Sequence, residues 1–158
     1  MDSPRSSRER RRASDAIKES LRALSTQLSL LNRQVGAHLD LKDVDFDCLD
    51  IVGRHGPLSP STLARRVGLH PATMTGVLDR LERGGWVARD RDPGDRRAVV
   101  VRALRDRVPE IHRLFAGMNS SMDELLAGYD DTQLELLAGF LGRVTEAGRT
   151  ATDELAGG

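Results

Sequence analysis

What this 158-residue chain has little of narrows its function before any pattern is read. It has one cysteine, Cys48, so no internal disulfide can form. Its aromatic side chains are one Trp, one Tyr and three Phe, too few to interleave an arginine surface as base-stacking platforms, which argues against a single-stranded RNA binder. No run approaches the ~18 uninterrupted apolar residues of a membrane span. The first thirty residues hold no apolar core of signal-peptide length, so the expected compartment is the cytoplasm, with no membrane partner. The four histidines, His38, His55, His70 and His112, never pair at the i, i+4 spacing of a helical zinc site, so no metal is expected. A glycine-rich phosphate loop after a strand, an HExxH helix and a nucleophile elbow are all missing, which leaves no enzyme chemistry and no cofactor to expect.

Net charge is also missing, but only in the sum. Residues 1–13 carry five arginines against Asp2 and Glu9, and residues 14–53 four bases against seven acids. Residues 54–107 then hold twelve arginines, no lysine and six acids, for +6, and residues 108–158 three arginines against nine acids, for −6. A basic middle between acidic flanks suits a polyanion-binding module on a solvated scaffold. Arginine is the better fork for phosphates and base edges.

What is present is mostly helical patterning. Residues 1–13, arginine-rich and without apolar periodicity, read as a disordered basic arm. Ile17, Leu21, Leu24, Leu28, Leu31 and Val35 then step by 4, 3, 4, 3, 4, which predicts a long helix over 14–40 with one apolar seam. The spacing returns at Val108, Ile111, Phe115, Met118, Met122 and Leu125. Gly128 offers a cap, and Asp130 with Gln133 forms a capping box for a last helix carrying Leu134, Leu137, Leu141 and Val144. These C-terminal helices fill 105–157. Heptad seams far apart in sequence favour a homodimer over a monomeric bundle.

Residues 41–104 are built of shorter units. Leu41 to Arg54 reads as a helix, and the break HGPLSP follows it. Ser59 and Pro60 open a short helix stopped at Gly68, and Pro71 opens another that the Gly84-Gly85 pair ends. Two short helices across a tight glycine turn are a helix-turn-helix, whose second helix presents its N-terminal side chains to the major groove. Those side chains are His70, Ala72, Thr73, Thr75 and Gly76, with Arg80 a turn further on. Ser59, Ser61 and Thr62 at the start of the first helix complete this part of the candidate DNA-contact set. A hairpin follows, with WVARDR and RRAVVVR as strands around Asp92-Pro93-Gly94-Asp95, a turn whose glycine suits positive φ. Its narrow tip can reach a minor groove. Asp95 is placed to hold Arg97 by an ion pair, leaving Arg91 and Arg96 for phosphates.

LARRVGLHPATMTGVLDRLERGGWVARDRDPGDRRAVVV, residues 63–101, resembles the winged helix-turn-helix core of the MarR (multiple antibiotic resistance regulator) family. DPGDRR after LDRLERGGWV carries the resemblance most specifically, and VDFDCLDIVGRHGPLSPSTLARRVG is similar to the family's second and third helices, so the likeness spans 14–157. It implies a mostly α fold with a small β-hairpin wing, a winged helix-turn-helix carried on long dimerisation helices. It also implies a dimeric regulator on a pseudo-palindromic double-stranded operator, with Arg97 the minor-groove arginine and Asp95 its orienting partner. His70 and Gly76 depart from the family's usual serine and arginine. Release by a small aromatic or phenolic effector is implied as well, with His38, Cys48, His112 and Phe115 lining its crevice by family position. Two other readings stay open. One is a winged-helix module that docks an acidic protein and binds no operator; the other is a redox-sensing regulator using Cys48.

Overall fold

The computed structural model describes residues 4–157, side chains included from Ser7 to Leu155. In chain order the elements are α1 (Pro4–His38), α2 (Asp43–His55), α3 (Pro60–Val67), α4 (Pro71–Arg83), β1 (Val87–Arg91), β2 (Val99–Ala103), α5 (Val108–Leu126) and α6 (Asp131–Gly157). The fold is therefore mostly α with one small antiparallel sheet, as the sequence implies. No helix among the described residues is long and apolar enough to cross a membrane.

The chain divides into two compact units, one running up to Phe46 and the other starting at Asp47. The first contains α1, whose 35 residues extend about 52 Å at the helical rise. Its start corrects the expectation of a disordered arm over 1–13: residues 4–13 are the first turns of α1, and residues 1–3 lie outside the described part. Sparse apolar content does not stop a helix that is already nucleated, because each further residue adds a hydrogen bond and arginine is a good helix former. At its other end α1 stops on a paired return of the backbone. The Leu41 N–H reaches the Gly36 carbonyl at 2.8 Å and the Asp40 N–H the Ala37 carbonyl at 3.4 Å, with Asp40 at φ 55. Val35, Leu39, Leu41 and Phe46 are buried around this turn.

The second unit holds the densest core. On α4 the buried side chains are Met74, Val77, Leu78 and Leu81, the i, i+3, i+4, i+7 stripe of an amphipathic helix. With Leu63 and Ala64 of α3, Trp86, and Val87 and Val101 of the hairpin, they exclude water almost completely. Each such side chain contributes about 1.5–3 kcal/mol relative to an exposed one. The sheet pairs β1 with β2 from Val87↔Ala103 to Arg91↔Val99, and Leu58 adds a single bridge to Val101. The second strand thus starts later than expected. Arg96, Arg97 and Ala98 belong to the connecting loop.

The turn after α4 explains both of its glycines. The Trp86 N–H bonds the Leu81 carbonyl at 2.9 Å and the Gly85 N–H the Glu82 carbonyl at 3.0 Å, which holds Gly85 at φ 72. Gly84 is there for space, since a Cβ would come within 2.7 Å of the Trp86 ring.

The long helices differ from the short ones. Helix α5 buries no residue, and Met122, Leu125 and Leu126 on it are exposed, as are Leu136 and Leu141 on α6 and Ile17, Leu24 and Leu28 on α1. The capping box is made as expected: the Gln133 N–H donates to Asp130 Oδ1 at 2.8 Å and the Asp130 N–H to Gln133 Oε1 at 3.0 Å. Gly128 is not at positive φ, and α5 ends on Ala127 in right-handed backbone instead.

Leu81 is fully enclosed. L81A is expected to destabilise the protein by about 2–5 kcal/mol in urea unfolding, through lost transfer energy and the cavity left behind.

Candidate nucleic-acid interface

Helix α3 opens as its sequence predicts. Ser59 caps it, its Oγ accepting from the Thr62 N–H at 3.2 Å and donating to Thr62 Oγ1 at 2.9 Å, with Ser61 Oγ at 3.1 Å. Ser59 and Thr62 are therefore half-buried and engaged with each other, while Ser61 is exposed. The helix closes on Gly68 at φ 68, and two residues later α4 starts. His70 caps α4, with Nδ1 accepting from the Ala72 N–H at 3.2 Å. The imidazole thus fills a capping role more often taken by a hydroxyl or amide side chain.

The buried stripe of α4 fixes what faces out. His70, Ala72, Thr73 and Thr75 are exposed, and Gly76 and Arg80 are half-buried on the same helix. Open space lies at Gly76 except for an Arg80 guanidinium nitrogen 3.7 Å from where a Cβ would be. This is a narrow, uncharged strip between the cap and the first arginine of the helix.

Three arginines dominate the hairpin tip. Arg91, Arg96 and Arg97 are exposed and make no ion pair with any described residue. The nearby aspartates are otherwise engaged. Asp92 Oδ1 accepts from the Gly94 N–H at 2.7 Å and the Asp95 N–H at 3.2 Å, and Asp95 Oδ1 from the Arg97 N–H at 3.0 Å. Asp90 pairs with Arg102 at 2.9 Å. The expected Asp95–Arg97 ion pair is thus corrected: Asp95 holds the backbone of Arg97, not its guanidinium. Unpaired N–H groups in a tight loop are cheaper to satisfy with a carboxylate two residues back than with ordered water. Gly94 is also corrected, since its φ is not positive; its smallness admits the Asp92 carboxylate, which a Cβ would meet at 3.2 Å.

The residues that join helix to hairpin were not anticipated from the sequence. Arg89 on β1 donates from Nη2 to Asp79 Oδ1 at 2.6 Å and to Glu82 Oε2 at 2.6 Å, and from Nε to Glu82 Oε2 at 3.0 Å. Its backbone N–H reaches Glu82 Oε1 at 3.3 Å. Those hydrogen bonds hold the Glu82 carboxyl below the usual carboxylate range and push the Arg89 guanidinium further up, through Glu82 first and Asp79 second. Two acids at i, i+3 on α4, followed by an arginine just past the glycine turn, were the available signal. Arg107 ties the next junction. Its guanidinium lies 3.8 Å from the Trp86 ring centre, donates to the Gly84 carbonyl at 2.8 Å, and binds Glu110 through two bonds. Arg65 and Arg66 add exposed charge on α3.

The expected effector residues are dispersed over different elements. His38 ends α1 and is exposed, its Nδ1 2.8 Å from the Gln34 carbonyl. Cys48 lies in α2 with 0% exposure, so its thiol lines no solvent-open surface. His112 is exposed and Phe115 half-buried, three residues apart on α5.

Two short helices across a glycine-capped turn, followed by a two-stranded hairpin, define a winged helix-turn-helix. A family model described as MarR family matches residues 41–99. The chain is 32% identical over 125 residues, covering 79% of this chain and 81% of the relative, to the uncharacterized HTH-type transcriptional regulator YcgE of Bacillus subtilis (strain 168). Among solved structures it is similar to a MarR family protein from Bacillus stearothermophilus, with TM-score 0.65 and 22% identity over 87% of this chain and 96% of that one. It is also similar to a point mutant of S. aureus MepR bound to an oligodeoxyribonucleotide, with TM-score 0.55 and 16% identity over 83% of this chain and 96% of that one. The chain belongs to the MarR family of transcriptional regulators, which are DNA-binding proteins and not enzymes.

The Arg89 lock carries a pH signature. Glu82 has a lowered pKa in the folded state, so its contribution is whole above the ordinary carboxylate range and is lost as pH falls through the lowered value. Thermal melts of wild type and E82Q are expected to differ at neutral pH and to converge as pH falls below the ordinary carboxylate range and through the lowered value. A gap that stays constant with pH would contradict the lock.

Proposed function

We propose that this regulator is a homodimeric, cytoplasmic repressor that binds a pseudo-palindromic double-stranded operator and is released by a small aromatic or phenolic effector. The observation that carries the DNA reading is the hairpin tip. Three arginines with no ion-pair partner among the described residues stand on a wing that Arg89 fastens to the helix bearing His70, Ala72, Thr73, Thr75, Gly76 and Arg80. In this reading α4 enters a major groove, Arg97 enters the neighbouring minor groove, and Arg91 and Arg96 bind phosphates. Ser61 sits at the exposed start of α3 for a further backbone contact, beside Ser59 and Thr62; Asp95 acts by shaping the loop that presents Arg97. A structural neighbour, the S. aureus MepR point mutant, is bound to an oligodeoxyribonucleotide, which supports DNA as the partner.

The dimer reading rests on the uncovered apolar faces of α1, α5 and α6, which a lone soluble chain rarely keeps. Repression follows from occupancy, since a dimer covering two half-sites about one helical turn apart excludes other proteins from that stretch. The effector reading rests on family membership, with His38, His112 and Phe115 as its candidate contacts. The enclosed Cys48 thiol speaks against the redox alternative, which requires an accessible sulfur.

Selection of bound sites from random duplexes, repeated with phenolic ligands present, tests duplex reading, symmetry and release together. On the selected operator, R97A is expected to weaken binding by about 1–3 kcal/mol with little loss of stability. R96A is expected to lower the log-log salt slope by about 0.9. Unchanged affinity and slope in both variants would remove the wing from the mechanism. Sedimentation at micromolar concentration is expected to give a species of twice the 17.4 kDa chain mass. A monomer would contradict the dimer.

A further inference from the structure

The cap of α4 is an imidazole where a hydroxyl or amide is the common choice. A backbone N–H can only donate, so the 3.2 Å bond from Ala72 requires a lone pair on His70 Nδ1. A ring that accepts this bond has no proton on Nδ1, so the tautomer the geometry selects carries it on Nε2. Nδ1 and Nε2 flank Cε1 and their in-plane bonding directions diverge widely, so an imidazole whose Nδ1 is turned back to the helix turns its Nε2 away from it. The residue is exposed, and no described residue bonds Nε2. Ala72 and Thr73, equally exposed, flank it at the same helix end.

We propose that His70 is a specificity-determining residue of the operator contact, its cap bond fixing one Nε2–H donor at the leading end of α4 for a hydrogen-bond acceptor on the duplex. The proposal rests on the operator-binding reading above and adds a chemical preference to it. A serine in the same place rotates its hydroxyl and both donates and accepts, whereas this ring can only donate outward. It therefore favours guanine O6 or N7, adenine N7, thymine O4 or a phosphate oxygen, and disfavours the amino groups of cytosine and adenine. A phosphate and a base edge share this acceptor chemistry, and substituted duplexes separate them.

The test compares wild type, H70S and H70A on operator chosen from random duplexes. Serine keeps the cap and loses the fixed donor, so H70S is expected to melt like wild type yet bind about 5- to 20-fold more weakly. H70A, lacking cap and donor, is expected to lose both thermal stability and affinity. If the acceptor is a purine edge, 7-deazapurine at one position weakens wild type and leaves H70S unaffected, and sites selected by H70S relax at that position. If it is a phosphate, a methylphosphonate at one step does the same and the selected sequence is unchanged. The 15N shifts of the His70 ring are expected to report the Nε2–H tautomer in free protein. Equal affinity and equal selection for wild type and H70S, or an Nδ1–H tautomer, would overturn the proposal. Wild type that binds no duplex would overturn the operator reading itself, a different result from H70S matching a wild type that binds.

Discussion

Helix α4 is held by one face so that the other can be offered, and the rest of the reading unit is arranged around that seat. Met74, Val77, Leu78 and Leu81 sink into a core closed by Trp86. The indole is fixed on two sides: Gly84 leaves it room beneath, and the Arg107 guanidinium lies over its face. Burial orients the helix but is non-directional, and hydrogen-bond recognition of a base edge depends on direction as well as distance. Arg89 supplies what burial lacks. Its bonds to Asp79 and Glu82 are directional, lie on the flank of the same helix, and tie the wing to it as one body.

The positive charge of the wing is not a matter of composition. Residues 89–101 contain acids enough to offset much of their arginine, and a count alone would suggest a self-neutralised hairpin. Geometry separates the two. Asp92 and Asp95 are turned to backbone N–H groups of the loop, Asp90 is paired with Arg102, and Arg89 faces the helix. Asp92 and Asp95 reach amides two or three residues ahead through a local turn, whereas a surface ion pair gains little in water. The stronger local demand wins. Arg91, Arg96 and Arg97 are what remains, which is why a neutral chain can carry a cationic edge.

Much of this was legible in the sequence because it is written in short-range terms. Ser59 before Pro60, Asp130 before Gln133 and the glycine pair before Trp86 each act over three to five residues, and each is found where the pattern puts it. The apolar steps of α4 marked its buried face, and by elimination its outward one. The misreadings share a cause. Residues 4–13 are helical because propagation from Ser14 is inexpensive, which composition does not register. Opposite charges near one another suggest a pair between Asp95 and the Arg97 side chain, while the need of the Arg97 N–H is invisible until the loop has a shape. Arg89 was overlooked because its partners lie seven and ten residues back, across a turn whose geometry decides the meeting.

The two kinds of helix in this chain pose a different question from any single contact. The short helices α3 and α4 satisfy their apolar faces within their own unit, but α1, α5 and α6 repeat apolar residues at heptad spacing and leave several uncovered, Leu125 and Leu141 at 66% and 47% exposure. The proposed dimer would match such a seam with another helix in place of water. A single reading head meets only a few base pairs, and genomes hold many chance copies of so short a site. Joining two heads through rigid helices multiplies their selectivities and converts helix length into half-site spacing. In the proposed dimer the exposed seams and the compact winged unit would answer one requirement: the part that reads is small, so the part that pairs is long.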